Sequence, residues 1–454
     1  MRAVTALTAI ALCALVWQCG QGSVLEARVN GEGNDGNQGA GPSPGGSGGD
    51  PAAVDVSPST PGGDPTQPGQ TEGSGGTGGS SGGSGGVGGS GFRHPGVIVN
   101  AGQLAFLREK ISASASPWKD ALAQAEKSSF GSLSYEPKPR AIVECGSYSN
   151  PDNGCTEEKS DSVAAYTHAL LWALTGDRAH ADKAIQIMNA WSAVLQDHTN
   201  SNAPLQSAWT ASQWARAAEI IRHTGSGWAE ADMKRFATLL EKVYLPEIID
   251  GSGSNGNWEL SMIEATMGIG VFLEDRAVFD KAVKMWRERV PAFIYLASDG
   301  PLPVPPPRGN RDTREKLIDF WYKQEQFEDG LAQETCRDFG HTQYGLAAII
   351  NAAETARIQG VDLYAEQGKR IAAGLEFHAQ FLDGVSAPSW LCEGKLDLHT
   401  NPTWEIGYNQ FANRGAMALP HTRSLVLKNR PTATDHHMAW ETLTHAEVDA
   451  VGLP

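Results

Sequence analysis

The sequence predicts an all-α protein in which antiparallel helical hairpins form an (α/α) toroid or incomplete barrel. Apolar side chains recur at intervals of three to four residues in eight or more segments, which is the period of an amphipathic helix. The breaks between these segments are short, as at Thr175-Gly176-Asp177. Alternating apolar and polar runs bounded by turns, which indicate strands, are absent through the middle of the chain.

A tract rich in glycine, serine and proline precedes the helical part. The first 91 residues hold 26 of the 52 glycines in this 454-residue chain. Residues 20–91 contain almost no apolar side chains, so they cannot bury enough surface to offset the entropy of ordering the chain. We therefore expect a disordered tether over 20–91 and one folded unit over 92–454.

The first 19 residues have the features of an export signal. Arg2 precedes an apolar run from Ala3 to Trp17, which is short for a bilayer span but typical of a signal-peptide core. Cys19 closes the run and is a candidate lipidation site, which would tether the protein to a membrane. The residues Val16 to Gln18 before it are larger than is usual there, so plain cleavage is the alternative. Export is expected either way, as a periplasmic protein, an outer-membrane lipoprotein or a secreted protein.

Helix and loop signals divide the folded unit into elements. Helices are expected after Asn100 and after Ser116-Pro117, then at 160–174, 181–191, 208–223, 233–244, 258–273, 276–293, 340–359 and 363–382. Long loops are expected at 128–159 and at the proline-rich 301–307. Residues after Trp390 are rich in loop-forming types and are not assigned.

Four cysteines remain in the folded unit and allow three pairings, which fits an oxidising compartment. We expect Cys145 to pair with Cys155, which would pin a polar loop, and Cys336 to pair with Cys392. The second bond would brace the residue before Arg337. A zinc site is the alternative, but no C-x-x-C spacing supports it.

The formal charge of −16 argues against a nucleic-acid partner. It does not suit an acidic polysaccharide either, unless positive charge is concentrated locally. The segment Arg308 to Lys316 is basic, and Arg308 and Arg311 in it are candidates to bind such a substrate at the rim of a cleft. A solvated loop is the alternative, and charge alone favours it.

Three side chains suited to proton transfer and anion binding lie at or just before the start of the helix predicted at 340–359. Arg337, His341 and Tyr344 are four and three residues apart, so they share one face if the helix already runs through them. Asn257 and Trp258 begin another helix, and helix ends on one side of a toroid form its cleft.

Other candidates have a weaker signal. The aromatic residues Trp209, Trp258, Trp404 and Tyr408 could stack on a sugar, although a buried tryptophan more often belongs to the core. The segment Asp435-His436-His437 could bind a metal ion, but no third ligand follows at a useful spacing, so we interpret it as a tail without a site. No metal ion or organic cofactor is expected.

Four stretches together resemble a known family: DSVAAYTHALLWALTGDRAHADKAIQIMNAW, LQSAWTASQWARAAEII, NGNWELSMIEATMGIGVFLEDRAVFDKAV and RDFGHTQY. In this order they are similar to the alginate lyase superfamily of polysaccharide lyases, and the resemblance covers about Asn100 to Leu382. It implies an incomplete (α/α) barrel that cleaves a uronate-containing polysaccharide, such as alginate or a glucuronan-like chain, by β-elimination without a cofactor.

The resemblance also implies which residues act. The family pairs Asn and His on one helix with an Arg and a Tyr seven residues apart. Asn257 matches that Asn, and Arg337 and Tyr344 keep the spacing, but Trp258 stands where the His would be. We expect His341 to replace that imidazole, with His378 and His421 as weaker candidates.

The chemistry assigns a role to each residue type. The C5 proton of a 4-linked uronate is barely acidic until its carboxylate is neutralised, and Arg337 and the Asn257 amide could supply that neutralisation. Tyr344, with its phenol pKa lowered by nearby cations, could take the C5 proton or protonate the leaving O4.

Two other functions remain open. A glycan-binding surface lipoprotein would keep the tether and the aromatic residues without the chemistry. The missing histidine favours it, whereas the retention of Asn257, Arg337 and Tyr344 together speaks against it. A glycoside hydrolase would need two opposed carboxylates, and no spacing singles out a pair among Glu259, Glu264, Glu334 and Glu405.

Overall fold

Long helices in hairpins make up most of the structure, which is a computed structural model. It describes residues 91–449, all within one unit, Ser80–Pro454. The expected signal peptide, Cys19 and the tether up to residue 90 lie outside the described residues and stay predictions. Within the described residues, no helix is both long enough and apolar enough to span a bilayer.

The helices are α1 (Ala101–Ser112), α2 (Trp118–Lys127), α3 (Cys155–Thr175), α4 (Arg178–Val194), α5 (Ala203–His223), α6 (Glu230–Leu239), α7 (Leu245–Ile248), α8 (Gly256–Phe272), α9 (Arg276–Arg289), α10 (Arg314–Phe320), α11 (Phe339–Ile358), α12 (Leu363–Leu382), α13 (Glu405–Tyr408), α14 (Pro420–Asn429) and α15 (Glu441–His445). A π-helical turn, Leu240–Tyr244, joins α6 to α7.

Five short strands lie between the helices of the described residues. They are β1 (Ile142–Cys145), β2 (Asp152–Asn153), β3 (Asp197–Thr199), β4 (Thr434–Asp435) and β5 (Met438–Ala439). β1 is the central strand of a small sheet, antiparallel to β2 and parallel to β3. β4 and β5 form a two-stranded hairpin. β1 and β2 lie within the predicted loop 128–159, and β3 lies in the unassigned stretch between two predicted helices. Strands this short have no detectable alternation.

The main helices form an inner and an outer layer, which confirms the predicted all-α toroid. The inner helices α3, α5, α8 and α11 pack on one another in that order, and α4, α9 and α12 pack outside them. The inner helices are buried on almost every face, as expected of helices without a polar stripe. One outer segment joins each inner helix to the next, so the inner helices run in the same direction and begin at the same end.

Short elements complete the ring between α11 and α3. In this gap α11 contacts α13, α13 contacts α15, and α15 contacts α1 and α2, while α1 contacts α3. The barrel of long hairpins is therefore incomplete, and segments from both ends of the described chain fill the opening. The C-terminal part, which the sequence leaves unassigned, thereby belongs to the core.

Two glycines allow the starts of α8 and α11 to pack closely. A Cβ atom on Gly256 would lie 2.1 Å from the ring of Phe293, and one on Gly345 would lie 2.3 Å from the same ring. Real Cβ contacts are never this short, so any side chain at either position would displace the ring. The two helix starts are thus held against one phenyl ring.

The predicted disulfides are confirmed, and one helix begins earlier than predicted. Cys145 is bonded to Cys155, and Cys336 is bonded to Cys392. The sequence predicts that α3 begins near Ser160, but it begins at Cys155, because the carboxylate of Asp152 accepts hydrogen bonds from the backbone N–H groups of its first turn. The first disulfide therefore anchors the start of an inner helix.

Candidate active site

The predicted catalytic residues lie at one end of the toroid, where the inner helices begin. Asn257 is in the first turn of α8, and His341 and Tyr344 are in the first two turns of α11. Trp209 is in the second turn of α5. Because neighbouring inner helices begin at the same end, residues far apart in sequence converge there.

Arg337 is not on the same helical face as His341 and Tyr344, which corrects the prediction. Helix α11 begins only at Phe339, and Asp338 is its N-cap, accepting a hydrogen bond from the backbone N–H of His341 at 2.7 Å. Arg337 therefore belongs to the preceding turn. Its side chain, 19% exposed, lies beside Glu334 instead.

Glu334 joins two of the predicted residues. Its carboxylate accepts hydrogen bonds from the Asn257 side-chain amide at 2.8 and 2.9 Å and from the Asn257 backbone at 2.9 Å. It also accepts one from Arg337 Nη1 at 2.9 Å. Asn257 is fully buried, and its amide donates to Glu334, so it does not offer these groups to a ligand as the sequence interpretation expected. Its role here is to fix Glu334, which holds Arg337.

His341 is oriented by the residue that caps its helix. Its Nδ1 donates to Asp338 Oδ2 at 2.6 Å, so the neutral ring carries its lone pair on Nε2. The side chain is 27% exposed. Burial opposes ionisation of Asp338, but the hydrogen bonds and charge of His341 and the charge of Arg337 hold the pKa of that carboxyl below its usual value. This is the arrangement of a base and its orienting carboxylate.

Tyr344 meets two residues that the sequence interpretation did not include. Its phenol donates to Asp435 Oδ2 at 2.9 Å, and Asp435 Oδ1 accepts from His436 Nδ1 at 2.5 Å. Burial, the negative charge of Asp435 and the hydrogen bond to it raise the pKa of Tyr344. The expectation of a lowered phenol pKa is therefore wrong, because the nearest charge is an anion.

The Asp435-His436 pair belongs to the site, whereas the sequence favours a tail without function. Burial lowers the pKa of His436, so a neutral imidazole donates to Asp435. Burial opposes ionisation of Asp435, yet His436, Lys159 and Tyr344 keep the pKa of its carboxyl below the usual value. The pair lies at the β4–β5 hairpin, 91 residues from Tyr344, and no local signal in the sequence links the two.

Aromatic rings surround the Tyr344 phenol. The Trp209 ring lies 5.7 Å from that of Tyr344 and 4.2 Å from that of His436, measured between centroids. The His341 ring is 5.7 Å from Tyr344. Trp209 is half-buried, so this predicted substrate-binding residue lies at the site with part of its surface accessible.

Two other predicted sugar-binding residues are in the core. Trp404 is 1% exposed, and its indole N–H donates to Gln343 at 3.0 Å. Tyr408 is 8% exposed and belongs to the same hydrophobic core. Neither can stack on a sugar, because other protein atoms already cover the rings. Trp258, which the resemblance aligns with a histidine, is half-buried against that core.

The basic segment is largely neutralised by its own neighbours. Arg308 forms an ion pair with buried Glu259, and Lys316 pairs with Asp312. Arg311 lies over the ring of Phe320 at 4.9 Å. The alternative interpretation, a solvated loop, fits these contacts better than a positively charged rim.

The weaker histidine candidates do not join the site. His378 is buried and hydrogen-bonded to Thr335 and Gly374, and burial lowers its pKa to about 4. His421 is on α14 and pairs with Asp383 at 3.1 Å. His341 is thus the predicted imidazole that lies next to Tyr344.

A second tyrosine, which the sequence interpretation missed, lies beside Arg337. The Tyr322 hydroxyl accepts a hydrogen bond from Asn255 Nδ2 at 2.7 Å. Burial and the charge of Glu334 raise the pKa of Tyr322 to about 12, although Arg337 opposes this. Its φ of 55° places it in a strained turn after α10, and its sequence context gives no hint of a site.

The four glutamates considered for hydrolysis are all held by other side chains. Glu259 pairs with Arg289 and Arg308, Glu264 with Arg216, Glu334 with Arg337, and Glu405 with Arg430. Inverting and retaining hydrolases need one carboxylic acid that can donate a proton and a second one opposite it. These four carboxylates do not supply such a pair.

Comparisons with solved structures agree with the fold. The chain is similar to alginate lyase A1-III from Sphingomonas species A1, with 17% identity and a TM-score of 0.51 over 76% of this chain and 95% of that chain. A histidine-to-alanine variant of alginate lyase A1-III complexed with a tetrasaccharide gives 16% identity and a TM-score of 0.52, over 76% and 94%. At these identities the likeness concerns the fold alone.

Comparison with curated protein sequences found no match. A comparison with family models, in contrast, found one that matches. The alginate lyase model matches residues 113–387, which is more than half of the chain and includes Trp209, Asn257, Arg337, His341 and Tyr344. The chain therefore belongs to the alginate lyase family and is a polysaccharide lyase.

Proposed function

We propose that this protein is an exported lyase that cleaves a 4-linked polyuronate by β-elimination and leaves a 4,5-unsaturated uronate end. The observation that carries this proposal is an oriented imidazole, His341, next to a protonated phenol, Tyr344. The Arg337 guanidinium is close to this imidazole, because its Nε lies 3.8 Å from the Asp338 oxygen that accepts from His341. The tetrasaccharide complex of a protein with the same fold supports an oligosaccharide of uronates as the ligand.

Arg337 is the group that neutralises the substrate carboxylate. A guanidinium has five N–H donors, and in this structure Arg337 donates one of its hydrogen bonds to Glu334. The remaining donors suit a bidentate contact with a uronate carboxylate, which lowers the cost of forming the enolate-like intermediate. Glu334 and Asn257 keep the guanidinium in place.

His341 acts as the base and Tyr344 as the acid. Asp338 holds the Nδ1 proton of His341, so Nε2 can accept the C5 proton of the substrate. Tyr344 keeps its proton at neutral pH because burial and Asp435 raise the phenol pKa, so it can protonate the leaving O4. Asp435 and His436 then return a proton to the phenol from solvent. The proton taken from C5 stays on His341 until the product leaves.

The positions of the acid and the base favour one class of uronate. Their rings are 5.7 Å apart on consecutive turns of α11, so both approach the sugar from the same side. Mannuronate and glucuronate carry H5 and O4 on the same face of the ring, whereas in guluronate they are on opposite faces. We therefore propose syn elimination at mannuronate or glucuronate residues.

Absorbance near 235 nm tests this proposal, because the unsaturated product absorbs there. The purified full chain is incubated with polymannuronate, glucuronan, polyguluronate and alginate, and reducing ends are counted in parallel. We expect absorbance with polymannuronate or glucuronan and none with polyguluronate. Reducing ends without absorbance would replace elimination by hydrolysis. Glycan binding without either signal would favour the binding-protein alternative.

Export is a separate part of the proposal. The signal-like residues 1–19 support it, and so do the two disulfides in the described residues, because such bonds persist in oxidising compartments. Mass spectrometry of the protein from membrane and soluble fractions distinguishes a lipidated Cys19 from plain cleavage. An unprocessed chain in the cytoplasm would contradict export.

A further inference from the structure

Two histidines and a glutamate meet at the end of the toroid opposite the candidate active site. Glu219 and His223 are in the last two turns of α5, and His94 belongs to the segment that precedes α1. His223 follows Trp209 by 14 residues, which is about 21 Å along the helix. The cluster is therefore remote from Tyr344 and has no part in the proposed elimination.

The distances between these groups suit a metal ion. One ligand atom from each of the three residues can be chosen so that all three lie within 4.8 Å of one another. His94 Nδ1 is 3.2 and 2.9 Å from the two oxygens of Glu219, and His223 Nε2 is 3.6 Å from Glu219 Oε1. Donor atoms about 2.0–2.1 Å from a tetrahedral zinc ion lie about 3.3 Å apart. The His94 and His223 rings are stacked with their centroids 4.2 Å apart, so one ring has to turn out of the stack before both nitrogens face the ion.

The surroundings of the cluster support a built site. The Glu219 side chain is fully buried, that of His94 is 4% exposed and that of His223 is 23% exposed. The backbone N–H of Gly96 donates to Glu219 Oε2 at 2.9 Å, which fixes the carboxylate as an outer-shell partner would. The nitrogen of His223 that faces Glu219, Nε2, is buried without a hydrogen-bond partner among the described residues.

We propose that His94, Glu219 and His223 bind one divalent transition-metal ion of the zinc type and that this ion fastens the segment before α1 to the end of α5. Two imidazole nitrogens and one carboxylate oxygen are a donor set that zinc accepts, with water in the fourth position. In the metal-free chain His94 Nδ1 donates to the Glu219 carboxylate, and binding through this nitrogen moves the ring proton to Nε2 by exchange with solvent, so the imidazole stays neutral. The partly exposed His223 gives the ion a route of entry.

The function of the ion is structural. The segment it would hold also contacts α11, because Arg93 donates to the Ile358 carbonyl at 2.8 Å and the Ile98 backbone donates to Thr355 at 3.2 Å. It thus crosses the ends of two inner helices. A metal that binds only the folded chain shifts the folding equilibrium towards it, so the ion would stabilise the toroid against thermal unfolding.

Calorimetric titration and thermal unfolding test the proposal. The full chain is stripped with a chelator, dialysed and titrated with ZnCl₂, and its melting temperature is measured with and without zinc. We expect one ion per chain and a higher melting temperature with zinc. His223→Ala removes the most exposed ligand and should fold, and we expect its affinity to fall at least about tenfold.

His180→Ala is the matched control. His180 and His168 form another histidine pair, with their Nδ1 atoms 2.7 Å apart. Neither residue belongs to the proposed donor set. We expect this variant to bind zinc like the unmodified chain. Absence of stoichiometric zinc uptake by the unmodified chain would overturn the proposal. Equal affinity in His223→Ala and the unmodified chain would also overturn it.

Discussion

Replacing Tyr344 by Phe tests the proposed acid directly. The substitution removes one oxygen atom and its hydrogen bond of 2.9 Å to Asp435, and it keeps the ring that packs near Trp209 and His341. Asp435 retains its partner His436, so no buried charge is left alone. The variant is therefore expected to fold and to lack only the proton donor.

The expected losses differ in size for activity and for stability. General acid–base catalysis contributes about 10²- to 10⁴-fold, so kcat should fall by that factor, or about 3–5.5 kcal/mol of activation free energy. A hydrogen bond to a charged group contributes about 1.5–3 kcal/mol to stability, and the remaining partner of Asp435 favours the lower value. For the 359 described residues, an unfolding entropy of about 2.1 cal/mol/K per residue converts about 1.5 kcal/mol into a drop of about 2 °C in Tm.

The assay is the initial rate at 235 nm on the best substrate of the unmodified chain, with Tm measured on the same preparations. Tyr364→Phe is the matched control, because its buried hydroxyl donates to the Ile350 carbonyl at 3.0 Å, away from the site. It should lose a similar amount of stability and keep its kcat. The reasoning is refuted if Tyr344→Phe retains kcat within tenfold of the unmodified chain.

Three further predictions concern the parts around the site. Asp338→Asn keeps an N-cap residue but disturbs the His341 tautomer, so kcat should fall about 100-fold or more with little change in Tm; unchanged kcat would exclude His341 as the oriented base. Replacing Cys336 and Cys392 by serine opens a loop of 56 residues and should lower the unfolding free energy by about 4 kcal/mol. Replacing Cys145 and Cys155, which are 10 residues apart, should lower it by about 3 kcal/mol. A denaturant titration in which the second pair costs more than the first would contradict this. Burial opposes ionisation of Glu354, but Arg414 and Arg357 hold the pKa of its carboxyl well below the usual value. The stability that the ionised carboxylate contributes is therefore present above about pH 4.5 and is lost as pH falls through the folded pKa. Glu354→Gln should be less stable than the unmodified chain at pH 7 and should lose less unfolding free energy on acidification, and equal losses in the two proteins would contradict the assignment.

Residue patterns gave most of the fold and about half of the candidate site. The inner helices were predictable because each repeats apolar residues at helical spacing within its own segment. Their ends were predicted unevenly. α11 begins at Phe339, next to its predicted start at residue 340, whereas α3 begins at Cys155 and not near Ser160, because of Asp152 and a disulfide. The sequence does place Asp338 three residues before His341, at the position of a helix N-cap. That spacing would have identified the pair, because a capping carboxylate can also accept a hydrogen bond from the histidine ring.

The sequence by itself determined the helical hairpins, the family and the presence of Arg337, His341 and Tyr344 close to one helix start, because these are properties of short segments and their order. It favoured the two disulfide pairings that the structure has. Only the tertiary structure decided that Asp435 and His436 reach Tyr344, that Glu334 joins Asn257 to Arg337, and that Trp404 is in the core. The physical reason is that such contacts depend on how whole helices pack around the ring. A pattern read along the chain records which face of a helix is apolar, but not which distant segment covers it or which charge meets a buried phenol.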